Sequence, residues 1–136
     1  MKYGTREEVA SSLELSLISV AGMKKVDRQH FENFANYQYP SAFLNEVRDT
    51  RQAFLKNVIK VQGMYTAVLF DKSEAGDLST KLNSLVNLGL TAILTDVTRG
   101  GKAYNTTVVA IDTDEGFMAP HCVAILTIQV LYLSQR

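Results

Sequence analysis

The chain has 136 residues, 46% of them hydrophobic and 21% charged, a balance that supports a packed core and excludes a disordered tail or linker. Lys plus Arg and Asp plus Glu both number 14, so the formal net charge is zero and the basic excess of a protein that grips nucleic acid through its phosphates is absent. A single cysteine rules out an intrachain disulfide, and no apolar run approaches the roughly 18 residues that a membrane span needs.

A chain of this size buries roughly two-thirds of the surface it exposes when unfolded, so a core needs neither disulfide nor metal. One domain, residues 1–136, is expected. Cys122 lies in an apolar run that ends at Leu133 and reads as a small buried hydrophobe, which fits a reducing compartment. The first eight residues turn polar and acidic at once, unlike a signal peptide, so synthesis in the cytosol is the expectation.

Thr5 and Glu8 have the spacing of a capping box, and Val9, Leu13, Leu17, Val20 and Ala21 then recur at helical intervals, so a first helix is expected from Thr5 to about Ala21, stopped by Gly22. Residues 23–39 mix solvated charges with Phe31, Phe34, Tyr37 and Tyr39 and read as a loop that lays aromatics against the core. Pro40 disfavours helix at Tyr39 and opens a short strand, Ser41 to Val47, followed by an exposed polar connection from Arg48 to Lys56.

A long strand is expected from Val58 to Asp71, with Ile59, Val61, Gly63, Tyr65, Ala67 and Leu69 facing the core and Gly63 marking a bulge or bend. Asp77 or Ser79 caps a second helix whose stripe is Leu78, Leu82, Leu85, Val86, Ile93 and Leu94, with Gly89 letting it approach the sheet. Gly100-Gly101 mark a turn, and two strands follow, Tyr104 to Thr113 and Cys122 to Leu133, separated by Asp114-Glu115-Gly116 and Pro120. The expected fold class is α+β: a mainly antiparallel four-stranded sheet with two helices packed on one face, in the order αββαββ.

Catalytic constellations are weak. Asp112, Asp114, Glu115 and His121 gather carboxylates and an imidazole that suit a divalent ion, but Asp114-Glu115-Gly116 is equally ordinary turn chemistry. Arg99-Gly100-Gly101-Lys102 offers glycine amides between two cations to a phosphate, yet it lacks the length and the Lys-Ser/Thr ending of a P-loop. The histidines, His30 and His121, accompany no G-x-S-x-G elbow, and the aromatics from Phe31 to Tyr39 lack the basic surround of a base-stacking platform. No enzyme activity, metal or cofactor is expected.

Taken along its whole length, the chain resembles the tail terminator proteins of long-tailed bacteriophages. The resemblance rests on the amphipathic N-terminal helix, on Tyr39-Pro40-Ser41-Ala42-Phe43 leading into a strand, on the long second strand and the Leu-rich helix, and on Ile111-Asp112-Thr113-Asp114-Glu115-Gly116-Phe117-Met118-Ala119-Pro120 before an apolar last strand. It implies a virion protein, assembled in the host cytoplasm, whose copies form a homohexameric ring on the finished tail tube. The ring stops tube polymerisation and offers a docking surface to the head-completion or neck connector protein, and to a sheath protein if the tail contracts. DNA would pass through it only in transit, which a near-neutral chain allows.

The charged loops are the expected subunit or partner contacts: Arg48, Asp49 and Arg51; Arg99 and Lys102; Asp114 and Glu115. The competing readings are another assembly component with a similar core, such as a neck or stopper protein or a terminator of a phage-derived contractile particle; a small-molecule-binding α+β regulatory domain; and a metal-dependent hydrolase built on Asp112, Asp114 and His121.

Overall fold

The computed structural model describes residues 2–28, 39–73, 76–114 and 119–135. Helix α1 (Arg6–Ile18) precedes three strands, β1 (Lys25–Asp27), β2 (Ser41–Leu55) and β3 (Val58–Lys72); helix α2 (Leu78–Leu94) leads to β4 (Asn105–Thr113) and β5 (His121–Gln135). The strands form one five-stranded sheet in the order β1-β2-β3-β5-β4. All neighbours pair antiparallel except β1, which lies parallel to β2 through Lys25, Val26 and Asp27.

The α+β class therefore holds, but the sheet is mixed and has five strands instead of four, in the order αβββαββ. The extra strand is three residues long, too short to show the alternation by which a strand is recognised. A second correction concerns residues 48–56. The polar segment expected to be a connection is the outer half of β2, which runs to Leu55 and turns back through Lys56 and Asn57. Its residues are mostly polar because no layer covers either side of them among the described residues, while β3 pairs with their backbone along one edge from Arg48 to Leu55.

Side-chain parity along β3 decides where the core lies. Val61, Tyr65, Ala67 and Leu69 are buried with Ala42 and Leu44 of β2 and Ala124, Leu126, Ile128, Val130 and Tyr132 of β5, all on the face that the helices cover. From α1, Val9, Ala10, Leu13 and Leu17 enter this cluster; from α2, Leu82, Leu85, Val86 and Ile93 do. Gly89 is where α2 meets the sheet: a Cβ there would sit 3.2 Å from Leu69 Cδ1 and 3.5 Å from Leu126 Cδ1. Gly63 stays in register and makes room for the Tyr65 ring, whose Cε2 would lie 2.9 Å from an added Cβ.

The opposite face carries a smaller cluster of Phe43, Val68, Phe70 and Val123, with Tyr39 and Ile125 packed against it and the Phe43 and Phe70 rings stacked at 5.4 Å. Tyr39 thus lays its ring against the core as expected; Phe31, Phe34 and Tyr37 lie outside the described residues. Cys122 is buried, and burial pushes its thiol up to about 11, as an inert small hydrophobe requires. Among the described residues no helix is long and apolar enough to cross a membrane.

The start of α1 is fixed by the capping box foreseen in the sequence. The Glu8 amide donates to Thr5 Oγ1 at 3.2 Å and the Thr5 amide to Glu8 Oε1 at 3.1 Å. At α2 the capping differs: Asp77 holds the N-cap position, but its carboxylate accepts the Ser73 hydroxyl instead of a helix amide. Replacing Thr5→Ala should therefore cost about 1 kcal/mol in urea unfolding, with Thr5→Ser close to neutral.

Candidate interface surfaces

The first turn of α1 is tied by charge to three separate segments. Arg6 Nε lies 3.5 Å from Glu46 and 3.6 Å from Asp49 of β2. Glu7 receives two hydrogen bonds from the Arg28 guanidinium, at 2.6 and 2.9 Å, and Arg28 also approaches Glu46 at 3.6 Å. Glu8, beyond its capping role, pairs with Lys102 at 2.9 Å. The N-terminal strap closes the same corner: the Gly4 amide donates to Leu133 O at 2.8 Å, and a Cβ on Gly4 would strike Lys102 O at 2.3 Å.

The turn after α2 takes its shape from Arg99, Gly100 and Gly101, which have φ of 49°, 67° and 87°. This left-handed run suits the glycines; Arg99 adopts it because its side chain is anchored. Arg99 is 1% exposed, and its guanidinium folds back over the end of α2 to donate to Ile93 O and Asp96 O, reaching Ser16 Oγ of α1 at 3.0 Å. Burial draws its pKa down. The Gly100 amide donates to the Asp96 carboxylate at 2.7 Å and the Gly101 amide to Thr98 O at 2.9 Å. The amides a phosphate would need are thus engaged within the turn.

Of the residues singled out in the sequence, Arg99, Lys102 and Asp49 are committed inside the fold, as a helix-end clamp and as two halves of ion pairs. Asp114 sits just past β4, where its carboxylate accepts from the Val123 amide at 3.4 Å; Glu115 lies outside the described residues. Arg48 and Arg51 stand on the uncovered half of β2 with no ion pair among the described residues. Asp112 is exposed on β4, level with Ile125, and His121 starts β5 with its ring 5.4 Å from that of Tyr39. Among the described residues no three His, Cys, Asp or Glu side chains gather as a metal site.

A groove of about 730 Å³ runs between α1 and the turn after α2, lined by Ser12, Leu15, Ser16, Ala92 and Thr95 beside the paired charges of Glu8 and Lys102. More telling are the sheet margins, which the sequence analysis did not single out. Beyond the three residues paired with β1, the outer edge of β2 from Leu44 to Leu55 has no neighbour among the described residues; neither has the outer edge of β4. Val47, Phe54 and Leu55 on β2 and Val109 and Ile111 on β4 are half exposed. The available signal was composition: β4 reads Asn-Thr-Thr-Val-Val-Ala-Ile-Asp-Thr, mostly β-branched, with no Lys or Pro to blunt an edge.

No protein-family model matches the chain, and no curated protein matches its sequence. Among solved structures, the fold is similar to the sheath/tube terminator of an extracellular contractile injection system (PVC) in its extended state, with a TM-score of 0.56 at 10% identity. The match covers 96% of this chain and 58% of that one, so the chain spans little more than half the length of its structural neighbour. The shared property is the fold.

Two outcomes test this corner. Arg99→Ala strands buried carbonyls at the end of α2 and should cost about 3 kcal/mol in urea unfolding. Arg99→Lys should lose nearly as much, since an ammonium cannot span the same acceptors. The Arg28 guanidinium, and then Ser11, hold Glu7 down from 4.5 to about 2. A folded pKa below the unfolded one gives a contribution that is complete above pH 4.5 and disappears as the pH falls toward 2. The circular-dichroism melting temperature should fall over that window, and less steeply for Glu7→Gln than for the wild type.

Proposed function

We propose that this chain is a terminator subunit: copies close a ring on the end of a tail tube, stop its growth and present a docking surface to the next component. The observation that carries this reading is the likeness in fold to a sheath/tube terminator over 96% of the chain. The surface chemistry supports it. The charged groups near the helices are mostly paired within the chain, while the two sheet margins carry backbone that is unpaired among the described residues and half-exposed apolar side chains. That distribution favours contact with other protein chains over recognition of a small charged ligand.

The finer parts of the proposal are a homohexameric ring, a tube protein below, a neck connector above, a sheath protein alongside if the tail contracts, and a place in the virion. A ring built from one kind of head-to-tail contact needs two different, complementary surfaces on each copy, which two dissimilar sheet edges supply. The mechanism is geometric and asks for no catalytic residue, metal or cofactor. Other neck or stopper proteins share these demands, and binding to the tube end separates them from a terminator. The groove beside α1 is the cleft that a small-molecule domain would use, and thermal stabilisation by a ligand would favour that reading.

The test mixes the purified chain with tail tubes from the same particle and examines them by negative stain, with the mass of the free chain measured by light scattering. A ring seated at one tube end, with tube growth halted, is the expected result. A chain that ignores tube ends and leaves polymerisation unchanged overturns the proposal.

A further inference from the structure

The two sheet margins differ in a way that assigns them to each other. Along β2, Glu46 and Asp49 are held by Arg6, which leaves Arg48 and Arg51 as cations without an ion pair among the described residues. Along β4 the sole charge is Asp112, equally without one. One margin is therefore basic and the other acidic. Neither suits its own copy: two β4 edges side by side would bring carboxylate to carboxylate, and two β2 edges cation to cation.

Direction fits as well. β2 is antiparallel to β3, β3 to β5, and β5 to β4, so β4 runs opposite to β2. When a rotation carries one copy to the next with its sheet in the same sense, β4 meets the neighbour's β2 antiparallel. We infer that the ring proposed above is joined by strand addition, with β4 of each copy extending the sheet of the next along the β2 edge from Leu44 to Leu55, which has no neighbour among the described residues.

The pairing register follows from the faces. Across the sheet, Phe43, Val68, Ile125 and Asp112 lie level, and so do Arg48, Met64, Gln129 and Thr107. These two rows share the face away from the helices, so Asp112 and Arg48 project on the same side. With one bulge between the rows in each edge strand, the rows are four ladder positions apart. Placing Asp112 beside the neighbour's Arg48 thus staggers each copy by four residues for the four strands β2, β3, β5 and β4. A stagger equal to the strand count is the ratio that tilts the strands of an eight-stranded barrel by about 36°, whatever the number of copies in the ring. The contact also takes Val47, Val109 and Ile111 out of water.

The experiment uses the full chain with tail tubes, reading ring occupancy at tube ends and hydrogen exchange of the backbone amides. Asp112→Arg and Arg48→Asp, each with an unchanged melting temperature, should each lower the apparent affinity of ring formation by about tenfold, and the two together should restore it. Amides in 44–55 and 105–113 should exchange more slowly in the ring than in the free chain. Rings that form with those amides unprotected and with both variants harmless overturn strand addition and leave the terminator reading standing. A dimer protected only at β4 also overturns it. If no ring forms with any tube preparation, the terminator reading fails and this inference with it.

Discussion

Strand β3 is paired along nearly its whole length on both sides, by β2 from Val58 to Phe70 and by β5 from Val58 to Lys72, and the rest of the molecule is placed by that fact. Slipping either neighbour by one residue would turn Ala42, Leu44, Leu126 and Ile128 away from the helices, so the core locks the register. The helices are shorter than the strands they cover. Each long strand has 15 residues, a run of about 50 Å at strand rise, whereas α1 with 13 and α2 with 17 residues extend only about 20 and 25 Å. The outer half of the β2–β3 hairpin must therefore stand clear of the helical layer. At the boundary Tyr65 and Tyr132 bury their rings, and their hydroxyls have no hydrogen-bond partner among the described residues. Burial raises both, Tyr132 to about 12, so they end the core as neutral phenols.

The helices gain their fixed positions from charge placed at one corner. The first turn of α1 joins β2 through Arg6, the segment after β1 through Glu7, and the turn after α2 through Glu8. Most of these groups are exposed, and an exposed ion pair contributes little by itself. Arg99 differs because it is buried and its acceptors are carbonyls of α2 that would otherwise be unsatisfied. It links the end of α2 to Ser16 of α1, and it holds open the left-handed turn that carries Lys102 to Glu8. One buried guanidinium thus connects the helix pair to the network at the corner.

Much of this architecture is legible in the amino-acid order, for a reason that also explains what is not. Helix α1, helix α2, β3 and β5 each have a covered face, and covering imposes a period: Leu13 and Leu17 one turn apart, Val61 to Leu69 at alternate residues, Gly89 where the backbones meet. The outer half of β2 has no covered face, so Arg48, Thr50 and Gln52 read as a loop although they lie in a ladder. β1 is too brief to carry a period at all. The candidate interface residues show the same limit. Sequence marks Arg99, Lys102 and Asp49 as charged, but only three dimensions show that Ile93, Glu8 and Arg6 already hold them. Arg48 and Arg51 remain exposed from the original set, on the β2 edge.

A contact made of strand edges has an energetic character suited to a terminator. Each backbone hydrogen bond contributes only about 1 kcal/mol net, because water satisfied the same groups beforehand. An edge of nine residues such as β4 presents about half of its backbone groups outward, and its half-exposed Val109 and Ile111 add a modest apolar term. Bringing two copies together costs on the order of 4–15 kcal/mol in lost translational and rotational freedom. One such seam would then be weak, and a free chain would not be driven to polymerise through it. In the proposed assembly a completed tube end would change the balance by holding successive copies at the spacing the seam requires, so that each new seam would form within an existing assembly. The last copy would close the proposed ring by joining two edges already held in place. Seams too weak to assemble in solution, yet sufficient on a template, would restrict such a cap to the one surface where it is useful, without any moving part or bound ligand to signal that the tube is finished.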